Sequence, residues 1–216
     1  MENKFIVSSS PHIRSNEDTS YIMKQVILAL VPVAIAAVYY FRISALFVMF
    51  FCILGTVGSE FLYQKLTKQK STIGDCSAIV TGLLLAFNVP ASLPWWMCIL
   101  GGVFAIIVVK MLFGGLGNNF VNPALAGRAF LLASFPVAMT AWTKTGVNWV
   151  SSGSLDAVST ATPLSFLKSG AAGLAPLKES GVSLMDMALG NIGGCVGETC
   201  AILILLGGLY LIYKGI

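Results

Sequence analysis

Long apolar stretches almost free of charge constrain this chain more than any other feature. Met23–Tyr40 contains one cation, Lys24, and Ile43–Tyr63 contains one carboxylate, Glu60. A bilayer core about 30 Å thick needs roughly 20 mainly apolar residues in a spanning helix. Both stretches meet that length, the first with Pro32 as a predicted kink. Only 10% of the 216 residues are charged, against about 25% in a typical soluble domain. The exterior of the folded chain is therefore expected to be lipid, and nucleic acid is excluded as a partner.

Further along, Asp75–Phe87 reads as a third helix, capped by Asp75 and stopped at Asn88-Val89-Pro90. It is short for a full crossing, so a tilted, broken or re-entrant course is expected. Trp95–Phe113 is a fourth, its tryptophans forming an interfacial belt. Gly114–Asn119 is a turn, after which Asn122-Pro123 supplies the N-cap and first position of a fifth helix reaching about Val137. A last span is expected over Cys195–Tyr213. The fold class is thus all-α, a polytopic membrane bundle of about six spans, some short or broken. Residues 1–22 form an N-terminal segment, 23–139 five membrane helices, 140–190 one long loop and 191–216 the sixth helix. The opening twenty residues carry no apolar core or small-residue cleavage site, so no signal peptide is expected.

Charge distribution orients the bundle. With a cytoplasmic N-terminus, Lys4, Arg14, Lys24, Lys65, Lys68, Lys70, Lys110 and Lys214 lie inside, and Arg42, Lys144, Lys168 and Lys178 outside. That asymmetry follows the positive-inside rule and puts the 140–190 loop outside the cytoplasm. Charges at membrane depth cost about 2.5–3.5 kcal/mol each on insertion scales and ask for a partner or a function. Arg128, Glu60 and Lys110 are expected to form one ion-pair group near the cytoplasmic side. The group is either a structural salt bridge with Lys110 snorkelling or the border of an ion or quinone-like pocket. Glu198, on the outer side, is too distant to pair with Arg128. It serves a structural hydrogen bond, or stands near a flavin or ion path. The run Gly190–Gly197 has Gly190-x-x-x-Gly194 spacing, which suits close helix packing or a cofactor contact. Five scattered cysteines without a C-x-x-C pair make a metal site from this chain alone unexpected.

The polar loop holds Asp156-Ala157-Val158-Ser159-Thr160-Ala161-Thr162-Pro163. Pro163 suits a first helical position, so Thr162 falls at an N-cap, where a phosphate ester meets free N–H groups and a favourable dipole. Asp156-x-x-Ser159-x-Ala161-Thr162 resembles the acceptor motif of flavin transferases, with Thr160 where glycine is commonest. The segment Ser10-Pro11-His12-Ile13-Arg14 ahead of a membrane helix is similar to the start of the D subunit of Rnf-type ferredoxin:NAD oxidoreductases. The related B subunit of sodium-pumping NADH:quinone reductases shares the flavin motif but has a longer N-terminal extension. His12 is then a surface group or lies near the flavin. Members of the family continue with further membrane helices beyond the point where this chain stops, so it reads as incompletely represented.

The resemblance implies a membrane subunit of a redox-driven ion pump in the bacterial inner membrane. It relays electrons between ferredoxin and NAD branches, coupled to Na⁺ or H⁺ movement. Thr162 would carry FMN as a phosphodiester, with Asp156, Ser159, Ala161 and Pro163 as the attachment motif; a second, non-covalent flavin is also implied. Implied partners are the other membrane, flavin and iron–sulfur subunits, a flavin transferase during maturation, and lipid. The residues themselves leave open a cofactor-free solute channel or secondary transporter, or a structural scaffold.

Overall fold

The computed structural model describes residues 18–143, 184–198 and 200–216. All its regular elements there are helices. Helix α1 is Thr19–Phe41, begun where the Asp18 carboxylate accepts the Thr19 N–H at 2.8 Å. It therefore starts inside the segment expected to end at residue 22. Helix α2, Ile43–Leu66, follows after a single residue. Arg42 makes that turn with φ 52° while its N–H still bonds Val38 O at 2.8 Å.

Helix α3 is Ser77–Phe87, entered through a 3₁₀ turn over Ile73–Asp75. It begins two residues later than expected, with Cys76 and not Asp75 at the N-cap; Asp75 Oδ1 accepts the Ser77 N–H at 2.8 Å across the left-handed Cys76. Helix α4, Trp95–Val103, continues as a π-helix over Phe104–Met111. Helix α5 is Pro123–Ser134 and the short α6 is Pro136–Met139. Asn122 does cap α5, its Oδ1 accepting from Ala124 at 3.0 Å. The expected run to Val137 is broken at Phe135, because a residue before proline is driven out of helical conformation.

Helix α7 is Leu184–Leu189 and α8 is Ala201–Lys214. The last span thus begins at Ala201, not Cys195. Residues 190–198 are not helical: Gly190 turns the chain with φ 99°, and Cys195 bridges antiparallel to Pro90. The small-residue spacing from Gly190 to Gly197 therefore packs no helix against another.

The packing is that of a bundle in lipid. Small side chains meet inside, with Ala37, Ala45, Cys52, Ala86 and Cys98 fully buried, while Tyr39, Phe50, Leu205 and Ile212 face outward. Without a hydrophobic drive between helices in lipid, close backbone approach supplies the contact. A Cβ on Gly55 would stand 2.9 Å from Ile99 Cα, and one on Gly207 2.6 Å from Ala29 O. These two glycines set the α2–α4 and α1–α8 crossings.

At about 1.5 Å per residue, the 11 residues of α3 cover roughly half a bilayer. The chain then goes on through turns and bends over residues 88–94. Residues 190–198 and α8 repeat the pattern in reverse, irregular first and helical after. The two interrupted crossings lie side by side. Val196 N–H donates to Val89 O at 3.0 Å and Gly197 N–H to Phe87 O at 3.0 Å. In an apolar slab an irregular backbone must find such partners.

Candidate functional site

Two polar centres occupy this bundle. The first is at the end bearing the α2–α3 connection. Glu60 projects from α2 and Lys110 from the π-helical stretch; both are buried, at 0% and 1% exposure. Lys110 Nζ donates to Glu60 Oε2 at 2.7 Å and to Ser77 Oγ at 2.6 Å. Ser77 in turn donates to Asp75 Oδ1 at 2.6 Å. The second Glu60 oxygen accepts the Thr72 hydroxyl at 2.7 Å and the Gln64 amide at 3.2 Å. Gln64 also donates to Thr72 Oγ1 at 2.7 Å, and its carbonyl accepts the Thr72 N–H at 3.2 Å. Each carboxylate oxygen is thus engaged, which is what a buried ion pair needs to offset its desolvation.

The π geometry is visible where Leu112 N–H reaches Ile107 O at 3.1 Å, five residues back. The helix then closes in a Schellman motif at left-handed Gly114, with Gly115 N–H on Lys110 O at 2.9 Å and Gly114 N–H on Met111 O at 3.1 Å. Beside this centre lies a polar vestibule of about 760 Å³, lined by Asp18, Gln64, Lys70, Thr72, Asp75 and Gly114 among others. Gln64, Thr72 and Asp75 therefore form a single layer between the vestibule and the Glu60–Lys110–Ser77 cluster.

The second centre lies where the interrupted crossings meet. Asn88 closes α3, its Nδ2 donating to Leu84 O at 2.8 Å. Its Oδ1 accepts from Arg128 of α5 at 3.0 Å. Arg128 thus stands at the negative C-terminal end of α3, where a cation is favoured. A cavity of about 480 Å³ opens here, lined by Arg128, Asn88, Glu198, Gly197 and apolar residues of α1 and α8.

The expected grouping of Arg128 with Glu60 and Lys110 does not form. Among the described residues the ion pair is Lys110–Glu60 alone, and Arg128 turns instead to Asn88. Lys110 does not snorkel, since its ammonium is held inside. Glu198 and Arg128 line one cavity without pairing. Gly194 is buried with open space where its Cβ would be, whereas a Cβ on Gly197 would strike Phe87. Gly190 ends α7. Asp156, Ser159, Ala161, Thr162, Pro163 and His12 lie outside the described residues. Sequence reasoning missed the partners Gln64, Thr72, Ser77 and Asn88. Their signal was present as polar side chains at the borders of apolar segments.

Apolar helices joined through irregular segments that bond to each other, and enclosing charged groups, define a class: polytopic membrane proteins with a site inside the bundle. The profile of the NQR2, RnfD, RnfE family matches residues 6–216, and the chain belongs to that family. It is 48% identical over 217 aligned residues to the D subunit of the Na⁺-translocating ferredoxin:NAD⁺ oxidoreductase complex of Acetobacterium woodii. That alignment covers 100% of this chain and 64% of the relative. It is 45% identical to the D subunit of the proton-translocating ferredoxin:NAD⁺ oxidoreductase complex of Clostridium ljungdahlii, over 99% of this chain and 63% of that one. The D subunit of the ion-translocating oxidoreductase complex of Shigella sonnei is 46% identical over 140 residues, 64% of this chain and 40% of its own. The chain thus spans just under two thirds of the length of the Acetobacterium and Clostridium relatives.

Proposed function

We propose that this chain is the membrane-embedded flavin subunit of an ion-translocating ferredoxin:NAD oxidoreductase, with FMN esterified to Thr162. One observation carries the assignment to the complex: the end-to-end likeness to a protein named as its D subunit. Support for the attachment comes from the sequence motif itself, a threonine followed by Pro163, which predicts an N-cap, with Asp156, Ser159 and Ala161 spaced for a transferase.

The loop's flanks agree with that reading. Ser92 donates to Ala141 O at 2.9 Å, and Tyr40 donates to Leu189 O at 2.7 Å. Both contacts belong to the end of the bundle opposite Lys65, Lys68 and Lys70. Under the positive-inside rule that end faces away from the cytoplasm. Bound there, FMN supplies redox chemistry that no side chain of this protein has. The chain's own part is to fix the attachment point and anchor it over the membrane. A second, non-covalent flavin belongs to the same reading, as do neighbouring membrane, flavin and iron–sulfur subunits. The Acetobacterium and Clostridium relatives are named for different ions. The transported ion is accordingly Na⁺ or H⁺.

The interrupted crossings also suit a cofactor-free channel or secondary transporter. In-gel fluorescence of the denatured chain separates the two readings. A phosphodiester survives denaturation, so the band is expected to glow, and Thr162→Ala to abolish the glow without loss of membrane insertion. A dark wild-type band would sink the flavin assignment and leave the transporter reading standing.

A further inference from the structure

The α2–α4 crossing brings two sulfurs face to face. All five cysteines of the chain are free thiols. Cys76 and Cys195 turn theirs to backbone carbonyls, Gly74 O at 3.9 Å and Asn88 O at 3.5 Å. Cys52 of α2 and Cys98 of α4 instead hydrogen-bond to each other. Both are buried, at 0% exposure. The helices carrying them touch by backbone at this level. A Cβ on Gly102 would stand 3.3 Å from Cys52 O, and one on Gly55 2.9 Å from the Cα of Ile99, the residue after Cys98. We propose that Cys52 and Cys98 form an oxidisable dithiol, which a small uncharged peroxide converts into a disulfide tying α2 to α4.

Access selects the first step. Of the pair, Cys98 lines a cavity of about 360 Å³ walled largely by Phe47, Phe51, Leu93 and Trp95. A neutral molecule of a few atoms can enter such a space, whereas a charged one gives up its hydration at high cost. The Cys98 sulfur therefore attacks hydrogen peroxide first. One peroxide oxygen leaves as water with the thiol proton, and the other stays on Cys98 as a sulfenic acid. Proximity drives the second step, because two thiols held together react at an effective concentration unmatched in solution. The Cys52 sulfur attacks the oxidised sulfur, and its proton leaves with the sulfenic hydroxyl as a second water. The two thiols have then lost two electrons and two protons, all taken up by the peroxide. The same cavity protects the product, since glutathione and other charged thiols cannot reach the bond to reduce it. Helix α2 carries Glu60 and α4 runs on to Lys110, so the link fixes the two segments that share the buried ion pair. The inference goes beyond the flavin reading and holds whether or not Thr162 is esterified.

The test uses the purified, detergent-solubilised complex containing this subunit, reduced and then exposed to hydrogen peroxide. Denaturation in N-ethylmaleimide traps the remaining thiols, and unreduced digests are weighed by mass spectrometry. Linked Cys52–Cys98 peptides should be about tenfold more abundant than any other pairing of the five cysteines. Their absence, or equal amounts of other pairings, would overturn the proposal. Dimedone, which captures sulfenic acids, reads the order of events. Cys52→Ala should leave Cys98 labelled, whereas Cys98→Ala should leave Cys52 unlabelled. The reverse pattern would overturn the cavity as the route of attack. Should either variant fail to assemble, the wild-type complex carries the test of access. Neutral dithiothreitol should reopen the bond about tenfold faster than a tricarboxylate phosphine, because only the neutral reductant enters the cavity. Equal or inverted rates would overturn that selection. In-gel flavin fluorescence is independent of these readouts, so failure here and failure of the flavin assignment are told apart.

Discussion

The Glu60–Lys110 centre and the Asn88–Arg128 centre both keep charge inside an apolar slab, by different means. Around Glu60 the groups close on one another: lysine, threonine and glutamine engage both carboxylate oxygens, serine holds the lysine, and the charged pair is buried. Around Arg128 the bond to Asn88 is made beside a cavity of about 480 Å³, and Glu198 lines the same space without pairing with it. A closed centre depends on each of its members, because a buried charge left without its partner keeps its desolvation cost. An open one tolerates loss, because water or a ligand can take the vacated place. Their sensitivities to substitution should therefore differ sharply.

The largest effect is expected at Lys110. Lys110→Met strands a buried carboxylate and should destabilise the fold by about 3–5 kcal/mol. The double change with Glu60→Gln should recover most of that, since it removes the stranded charge. Thermal unfolding of the four members of the cycle measures the coupling. Coupling near zero would mean the pair is solvated, and the contrast between the centres would fail.

A smaller effect tests the strap that frames the open centre. Gly197 lies where a Cβ would collide with Phe87, while Gly194, three residues earlier in the strap, has open space. Gly197→Ala should cost about 1–3 kcal/mol by overpacking. Gly194→Ala should change stability by no more than about 0.5 kcal/mol. The two melting temperatures compared side by side give the answer. Equal losses would mean that the 190–198 segment does not lie against α3.

What could be read from sequence followed from what hydropathy encodes. Apolar length located α1 and α2, Asn122-Pro123 marked the start of α5, and Asn88-Val89-Pro90 marked the end of α3. Each is a local signal, complete within a few residues. Cys195–Tyr213 misled because apolar length does not distinguish a helix from an irregular strap. The partner that satisfies the strap's backbone, Phe87–Pro90, is far away in the chain. Arg128 misled for a related reason. Depth along a helix was legible, but which neighbour its guanidinium faces depends on the rotation of α5. Gly127, close against the Gly101 carbonyl, helps fix that rotation. The π-helical turn under Lys110 left no sequence mark at all, and it turns the ammonium inward where snorkelling was expected.

At Arg128 the expected effect is smaller than at Lys110, and it tests the open centre most directly. Arg128→Met removes the bond to Asn88 and the positive charge at the end of α3. Asn88 Oδ1 then faces a cavity large enough for several waters, so its hydrogen bond can be replaced. The change should cost about 1 kcal/mol, the net worth of one hydrogen bond. Unfolding of the variant beside Lys110→Met, in the same detergent, measures the difference. A loss as large as the Lys110 value would show that Arg128 has a desolvated counter-charge. The second centre would then be as closed as the first, with no room for an exchangeable ligand.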